Sequence, residues 1–388
     1  MFLPNLSRGT FRLKRPTRVM MVCGSVPPAQ PVCGVADATA QLANGLSDLG
    51  LQVGMVSGGT SLGPASRQFV GLSTHLFPVM AEWNARDIPR FFRTIKEWQP
   101  DIIHFHYPAQ GYGKSWTPYF LPLLSKLSGY QVVQTWHEHT RYRFFPNAIP
   151  RDTLIVVEPD FLDRIMKRYK YLVRRKDVHF IPIISNIPAT TLSSEERTSI
   201  RSQWLFGAKN LVSYFGFVYP GKGLEAVFQI SDPDQDAVLI IGELDFDGNP
   251  YHRSFRALIE RPPWKNRVAV TGYVNSLFAA QLLAASDAVL CPFEDGVRPN
   301  NGSFLAACAQ GTFVVTTSRD KSGYDPRGNV SFSPPGDIPA MRQALRSHVG
   351  RRTPPRTDDQ AALHQLASEH LRLYEHILDH RGALTLDP

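Results

Sequence analysis

Cysteine is scarce in this chain. Only Cys23, Cys33, Cys291 and Cys308 occur among 388 residues. Their spacings match neither a disulfide framework nor a zinc knuckle, which points to a reducing compartment. Long apolar runs are missing as well. Long uncharged windows include Val19–Ala36, broken by Pro27, Pro28 and Pro31, and Pro299–Ser318, interrupted by Asn, Gly and Gln. Neither makes an apolar helix for a bilayer core of ~30 Å. The basic stretch Arg8, Arg12, Lys14, Arg15, Arg18 leads into Val19–Cys23, shorter than a secretory apolar segment of about 7–15 residues. Neither an internal repeat of ~20–50 residues nor the dinucleotide fingerprint G-x-G-x-x-G is found. Recognition-helix, RNP-like and zinc-finger motifs are missing too, so nucleic acid is not an expected partner.

What is present is a basic, well-cored chain. The 42 Lys and Arg against 34 Asp and Glu give 42 − 34 = +8, and 43% of residues are hydrophobic. Length and composition exclude general disorder and predict two or three domains. The charge leaves phosphorylated small molecules or an anionic membrane as partners.

Short apolar runs alternate with helical patterns. Strands are expected at Arg18–Cys23, Gln52–Ser57, Ile102–His106, Gln131–Trp136, Thr153–Val157 and His179–Ile184. Helices are expected at Asp37–Leu49, Arg86–Glu97, Pro118–Leu127 and Phe161–Tyr171. The rhythm restarts after Asn186, with strands at Leu211–Phe217, Ala237–Gly242, Arg267–Gly272, Ala288–Pro292 and Phe313–Thr317. Helices at Lys222–Ile230, Tyr251–Glu260, Leu277–Ala285 and Gly302–Gln310 separate them. Strand runs this short and continuously apolar read as parallel strands buried on both faces. Ile187–Ser194 is the expected linker, and the polar stretch Arg351–Asp359 precedes a last helix, Gln360–His380. The expected fold class is α/β: two Rossmann-like doubly wound domains facing across a cleft. They span 1–185 and 186–358, with 359–388 packing back toward the first.

Four segments carry chemistry. Gly24-Ser25 and Cys33-Gly34-Val35-Ala36-Asp37 join the first strand to the first helix, where glycines let backbone N–H groups approach an anion. An ordinary loop with Asp37 as helix cap is the competing reading. Asp101-Ile-Ile-His104-Phe-His106 and Thr135-Trp-His137-Glu138-His139 form His-rich strand ends, His104 and His106 sharing a face. Three readings are open there: a metal site, one packed histidine with the others solvated, or a donor to a substrate hydroxyl or phosphate with His137 best placed. Gly216-Phe-Val-Tyr-Pro-Gly221-Lys222-Gly223 puts a lysine at a helix opening, a good diphosphate site. It is not a Walker A loop, because Gly223 replaces the Ser or Thr that would hold magnesium. Cys291-Pro-Phe-Glu294-Asp295-Gly296-Val-Arg298-Pro-Asn300-Asn301-Gly302-Ser303 runs from a strand into an acidic loop and a helix start, with Asn301 or Ser303 as the expected cap. The run Arg164–Lys176 holds seven cations interleaved with Met166, Tyr169 and Leu172, a pattern open to an anionic membrane or to a solvated face.

In this order the segments resemble retaining glycosyltransferases of the GT-B fold, of the family-4 type. The resemblance covers about Arg18 to Val330. It is carried by Cys33–Asp37 with the helix after it, by Asp101–His106 with Thr135–Glu138, and by Ile181-Pro-Ile-Ile-Ser-Asn186-Ile-Pro188. In the donor half it rests on Gly216…Lys222-Gly223-Leu224, on Gly272…Ser286-Asp287…Pro292 and on Leu305…Gly311.

The resemblance implies transfer of a sugar from a nucleoside-diphosphate sugar to a hydroxyl acceptor: a glycan, a lipid-linked sugar or a small metabolite. Such an enzyme would be cytoplasmic, or peripheral on the inner membrane face. His137 and Lys222 take the catalytic roles the resemblance implies. Glu294 is placed beside them, since Glu294 and Asp295 are expected to take over sugar contacts, and Arg298 to supply a cation, where this chain departs from the family. Gly34, Gly216, Lys222, Asp295, Arg298, Asn301, Gly302 and Ser303 hold the donor, and Asp37, His106 and Glu138 hold the acceptor. No cofactor or metal is expected, because the protein supplies the cations. This chain departs from the pattern at Phe217, where the family has Arg, and at Arg298 and Ala306, where it has its glutamate pair. A catalytically silent homologue that binds sugar nucleotide is therefore the alternative reading.

Overall fold

The computed structural model describes residues 16–26, 33–58, 73–138, 151–164, 177–356 and 358–384. The chain divides into two compact units, Met1–Pro182 with Leu363–Pro388, and Ile183–Ala362.

The first unit is built on β1 (Arg18–Val22), β2 (Gln52–Gly58), β3 (His75–Met80), β4 (Ile102–Tyr107), β5 (Gln131–Trp136), β6 (Thr153–Val156) and β7 (Val178–Phe180). Its helices are α1 (Gly34–Asp48), α2 (Ile88–Trp98), α3 (Thr117–Leu127) and the short α4 (Phe161–Arg164). The strands form one sheet in the order β3-β2-β1-β4-β5-β6-β7, parallel throughout. Alternation along each strand feeds two cores. Met20, Val22, Ile103 and Phe105 pack with α2 and α3 on one face. Val19, Met21, Ile102 and Val133 pack with α1 on the other.

The second unit repeats the plan with β8 (Asn210–Phe215), β9 (Asp236–Ile241), β10 (Val268–Val270), β11 (Ala288–Cys291), β12 (Val314–Thr317), β13 (Gly323–Asp325) and β14 (Val330–Ser333). Its helices are α5 (Ser194–Ser202), α6 (Leu224–Ile230), α7 (Pro250–Glu260), α8 (Ser276–Ala285), α9 (Gly302–Ala309) and α10 (Ile338–His348). The order is β10-β9-β8-β11-β12-β14-β13, and only β13 runs antiparallel, against β14. Asp287 ties α5 to this sheet: its carboxylate accepts from Arg197 and Arg201, each at 2.7 Å, and from the Leu211 amide.

The last helix, α11 (Asp359–Leu384), brings the chain back to the first unit. Ala367, Leu373, Tyr374 and Ile377 enter the core that α1 shares with the sheet. At its start Asp359 accepts from the Ala189 amide at 2.6 Å.

Several expected elements shift. α1 begins at Gly34, three residues before Asp37, with Cys33 as N-cap and no side-chain cap bond. Asp37 thus lies in the first turn and is not the cap. The strand expected at His179–Ile184 is shortened to Val178–Phe180, and α6 starts at Leu224 because Gly223 sits outside it in the left-handed region. Of the basic run Arg164–Lys176, residues 165–176 lie outside the described residues, as does most of the helix expected at Phe161–Tyr171. Arg164 itself pairs with Glu158 and Asp160. Among the described residues, no helix is long and apolar enough to cross a membrane. All four cysteines are free and buried. Burial pushes Cys23 and Cys308 each up to about 12, which makes them unreactive packing thiols.

Candidate functional site

In an open α/β sheet, ligands bind at the carboxyl ends of strands where the strand order reverses. In the first unit this point lies between β1 and β4, and in the second between β8 and β11. The sequence motifs fall at both places.

At the first, Gly24 and Gly34 have different reasons to be glycine. A Cβ on Gly24 would stand 2.7 Å from the Tyr112 amide nitrogen, so this glycine admits the Gly111–Tyr112 turn and not a ligand. The Gly24 carbonyl accepts from Trp83 Nε1 at 3.0 Å. A Cβ on Gly34 would meet nothing within 4 Å. Gly34 is exposed at the opening of α1, a 15-residue helix whose first amides favour an anion. Asp37, half-buried, lies one turn on.

The histidines are more enclosed than a solvated reading allows. His104, His106 and His137 are all buried, Glu138 is exposed, and His139 lies outside the described residues. His104 hydrogen-bonds the Tyr374 hydroxyl through Nδ1 and the Thr135 hydroxyl through Nε2, each at 2.7 Å. The His106 ring lies 4.2 Å from that of His104, and its Nδ1 meets His137 Nε2 at 3.3 Å. His106 Nε2 is buried with no hydrogen-bond partner among the described residues. His370 of α11 completes the cluster, its ring 5.9 Å from His104. Burial holds all four below the usual range, reinforced by neighbouring imidazoles at His104, His106 and His137, the last at about 3; at His370 burial is partly offset by the bond to the Leu366 carbonyl, leaving it at about 4. They are neutral rings at neutral pH, suited to hydrogen bonding rather than to charge. Among the described residues, no three His, Cys, Asp or Glu side chains are placed to hold a metal ion.

In the second unit, two loops meet at the switch point. Gly216 follows β8 with φ +118°, and a Cβ there would come within 3.3 Å of Ser303 Cβ at the opening of α9. The segment then runs through Tyr219 and Gly221 to Lys222. The Glu294 amide donates to the Gly221 carbonyl at 3.1 Å, lacing the two loops together. Lys222 Nζ sits 5.1 Å from the ring centre of Tyr219 and 5.4 Å from that of Phe293. Two aromatic faces fix the ammonium without neutralising it. Among the described residues no carboxylate forms an ion pair with it, so its charge stays available to an anion.

Acidic and amide groups surround this lysine. Glu294 is exposed beside it. Asp295, also exposed, pairs with Arg319 at 3.1 Å. The Arg298 amide donates to Asn301 Oδ1 at 2.6 Å. That bond corrects the expected cap: Asn301 is the N-cap residue of α9, but its side chain turns back to Arg298, and α9 has no side-chain cap. Gly302 and Ser303 therefore open α9 with backbone alone, and a Cβ on Gly302 would meet nothing within 4 Å. Ala306, at the second lost glutamate position, is wholly buried in the core.

Sequence reasoning missed the residues that hold these loops. Tyr219 and Phe293 cradle Lys222, and the Tyr214 hydroxyl donates to the Phe217 carbonyl at 2.9 Å. His252 of α7 accepts from the Asp245 amide at Nδ1, so its Nε2–H donates to the Val218 carbonyl at 2.7 Å. The aromatic spacing Tyr219-x-x-Lys222 was legible; His252 gave no sequence signal.

Residues 33–182 match the family model described as Glycosyl transferase 4-like domain. A search of curated proteins finds no match by sequence. Solved structures similar to the chain include a glycosyltransferase from Rickettsia africae ESF-5, at TM-score 0.68 and 14% identity, covering 94% of this chain and 99% of that one. Anabaena HepE, solved with UDP and glucose, is similar at TM-score 0.64 and 14% identity over 95% of this chain and 99% of that one. The catalytic domain of Arabidopsis thaliana starch synthase IV, bound to ADP and acarbose, is similar at TM-score 0.64 and 13% identity over 94% and 99%. The first unit thus carries a match to a glycosyl transferase 4-like domain, and the chain along its length has the two-domain α/β fold of these glycosyltransferase structures.

Proposed function

We propose that this chain transfers a sugar, with retention of anomeric configuration, from a nucleoside-diphosphate sugar to a hydroxyl acceptor. The observation that carries the reading is Lys222, an ammonium held between Tyr219 and Phe293 at the β8/β11 switch point with no carboxylate paired to it among the described residues. A donor diphosphate is the ligand such a point charge beside backbone amides takes. HepE solved with UDP and starch synthase IV bound to ADP support a nucleotide as the ligand.

In this mechanism the bond from the anomeric carbon to the diphosphate oxygen breaks, and the acceptor oxygen bonds that carbon on the same face. The leaving phosphate takes the acceptor proton. Lys222, Arg298 and the first amides of α9, at Gly302 and Ser303, stabilise the charge that grows on the diphosphate. Gly216 lets the donor approach the backbone, and Glu294 and Asp295 contact sugar hydroxyls. Gly34, at the opening of α1, is assigned to the phosphate or sugar. The neutral His137 hydrogen-bonds the transferring sugar, and Asp37, His106 and Glu138 serve the acceptor side. No metal takes part in this scheme.

Release of nucleoside diphosphate from a pool of UDP-, GDP-, ADP- and dTDP-sugars tests the reading. Turnover with one donor class supports it. Binding of a nucleotide, seen as a thermal shift, without any diphosphate release would make the chain a silent sugar-nucleotide binder instead.

A further inference from the structure

The face of the first sheet that carries α2 and α3 has a surface unlike the rest of the unit. On α3 and just before it, Trp116, Phe120, Leu123 and Leu127 are 49%, 46%, 39% and 77% exposed. They recur at i, i+4, i+7 and i+11, so they form one stripe along the helix, roughly 16 Å long at 1.5 Å per residue. The buried side of the same helix is already satisfied by Pro118, Tyr119, Leu121 and Pro122 against the sheet. The stripe is therefore additional to the core. Contiguous exposed apolar surface of this kind marks a contact site.

Its surroundings are basic. No Asp or Glu occurs between Asp101 and Glu138. On the same face, Arg86, Arg90, Arg93 and Lys96 stand exposed along α2 and its approach, again at helical spacing, and none of them forms an ion pair among the described residues. The acids beside them are Glu82 and Glu97, both exposed, and the half-buried Asp87, while Lys126 on α3 is paired with Asp152 at 2.7 Å. The entries to the two helices are bound together: Ser115 donates to the Trp83 carbonyl, and Trp83 packs edge-on against Tyr112 at 4.7 Å. The row of cations and the apolar stripe thus belong to one rigid face.

We propose that this face docks the first unit on an anionic lipid bilayer. Phe120, Leu123 and Leu127 would enter the acyl boundary, Trp116 would sit at headgroup level, and Arg86, Arg90, Arg93 and Lys96 would meet lipid phosphates. The charge complementarity selects a lipid surface over an uncharged apolar partner. The Trp116 end of α3 follows the carboxyl end of β4, which carries His106, so a membrane-borne acceptor would arrive at the histidine end of the sheet. The docking goes beyond the proposed transfer reaction, because vesicle binding is measured without turnover.

Co-sedimentation of the full chain with phosphatidylcholine vesicles, with and without phosphatidylglycerol, tests it. Binding is expected to the anionic vesicles, weakening as salt rises. Arg90→Gln with Arg93→Gln should weaken it roughly 30-fold, and Phe120→Ser with Leu123→Ser by at least ~10-fold. All four residues are exposed, so unchanged thermal unfolding verifies each variant; should one fail to fold, the other carries the test. Vesicle binding that survives both pairs of substitutions overturns the proposal and moves the contact elsewhere, to the Arg164–Lys176 run for instance. No binding by the wild type overturns it as well. So does a dimer in solution that Phe120→Ser with Leu123→Ser dissociates while vesicles are ignored.

Discussion

Gly223 faces the carbonyl oxygen of Pro292 so closely that a Cβ built on it would stand 2.1 Å from that oxygen. The contact joins the segment that carries Lys222 to the strand end that carries Glu294. Gly223 also holds φ +82°, in the left-handed region. Both constraints oppose any side chain. Gly223→Ala should lower stability by about 2 kcal/mol or more through strain and clash together. It should also displace Lys222 and weaken nucleotide binding. Urea unfolding alongside nucleotide titration checks this; wild-type values in both would refute the account of the two loops.

Lys222 lies between two aromatic rings that a neutral side chain would not need. Lys222→Ala should reduce kcat/KM for the sugar donor by ~10²-fold or more, as loss of a group aimed at growing transition-state charge does. Stability should barely change, because the ammonium is in no ion pair among the described residues. Steady-state kinetics with thermal unfolding separates the two effects. An unaltered rate would remove Lys222 from the mechanism.

The buried histidines tie stability to pH. In the unfolded chain each takes up a proton near pH 6.5, whereas in the fold His370 does so only near pH 4 and His137 near pH 3. His104 and His106 are held low as well, chiefly by burial. Between these limits the unfolded chain binds more protons than the native one. Stability is therefore full above about pH 6.5 and is lost as the pH falls through that window, at ~1.4 kcal/mol per pH unit for each excess proton. Urea midpoints from pH 7.5 to pH 4.5 should drop steadily below 6.5, and a flat profile would contradict neutral burial of the cluster.

The parts of the fold that could be read in the sequence share one property. β1 and β9 are near-continuous apolar runs, and β4 and β5 are apolar runs interrupted only by buried His104, His106, Gln134 and Thr135, because helices cover both faces of the sheet. β3 escaped reading because it is a half-buried edge strand with Pro78 inside it. β13 spans three residues at an edge of the second unit's sheet, with Tyr324 alone partly buried. α5 and α10 were missed despite real signals: Ser193 with Glu196 makes a capping box, and Asp337 caps a helix with Pro at its start. The site was legible where chemistry and backbone coincide, as at Gly216, Lys222 and Gly223. It was illegible where partners come from distant sequence. Nothing near His104 announces Tyr374, 270 positions away.

That last separation has a consequence for how the protein is made. The first unit is interrupted in sequence: its sheet is complete by Phe180, yet one side of its core waits for residues 367–377. During synthesis the ribosome releases the whole second unit before the helix that covers His104 exists. The second unit, continuous in sequence, is free to fold as it emerges. The nascent first unit must meanwhile carry an uncovered row of apolar side chains and a half-finished histidine cluster. Residues of β1 and α1, translated before the second unit, are thus among the last to reach their final surroundings.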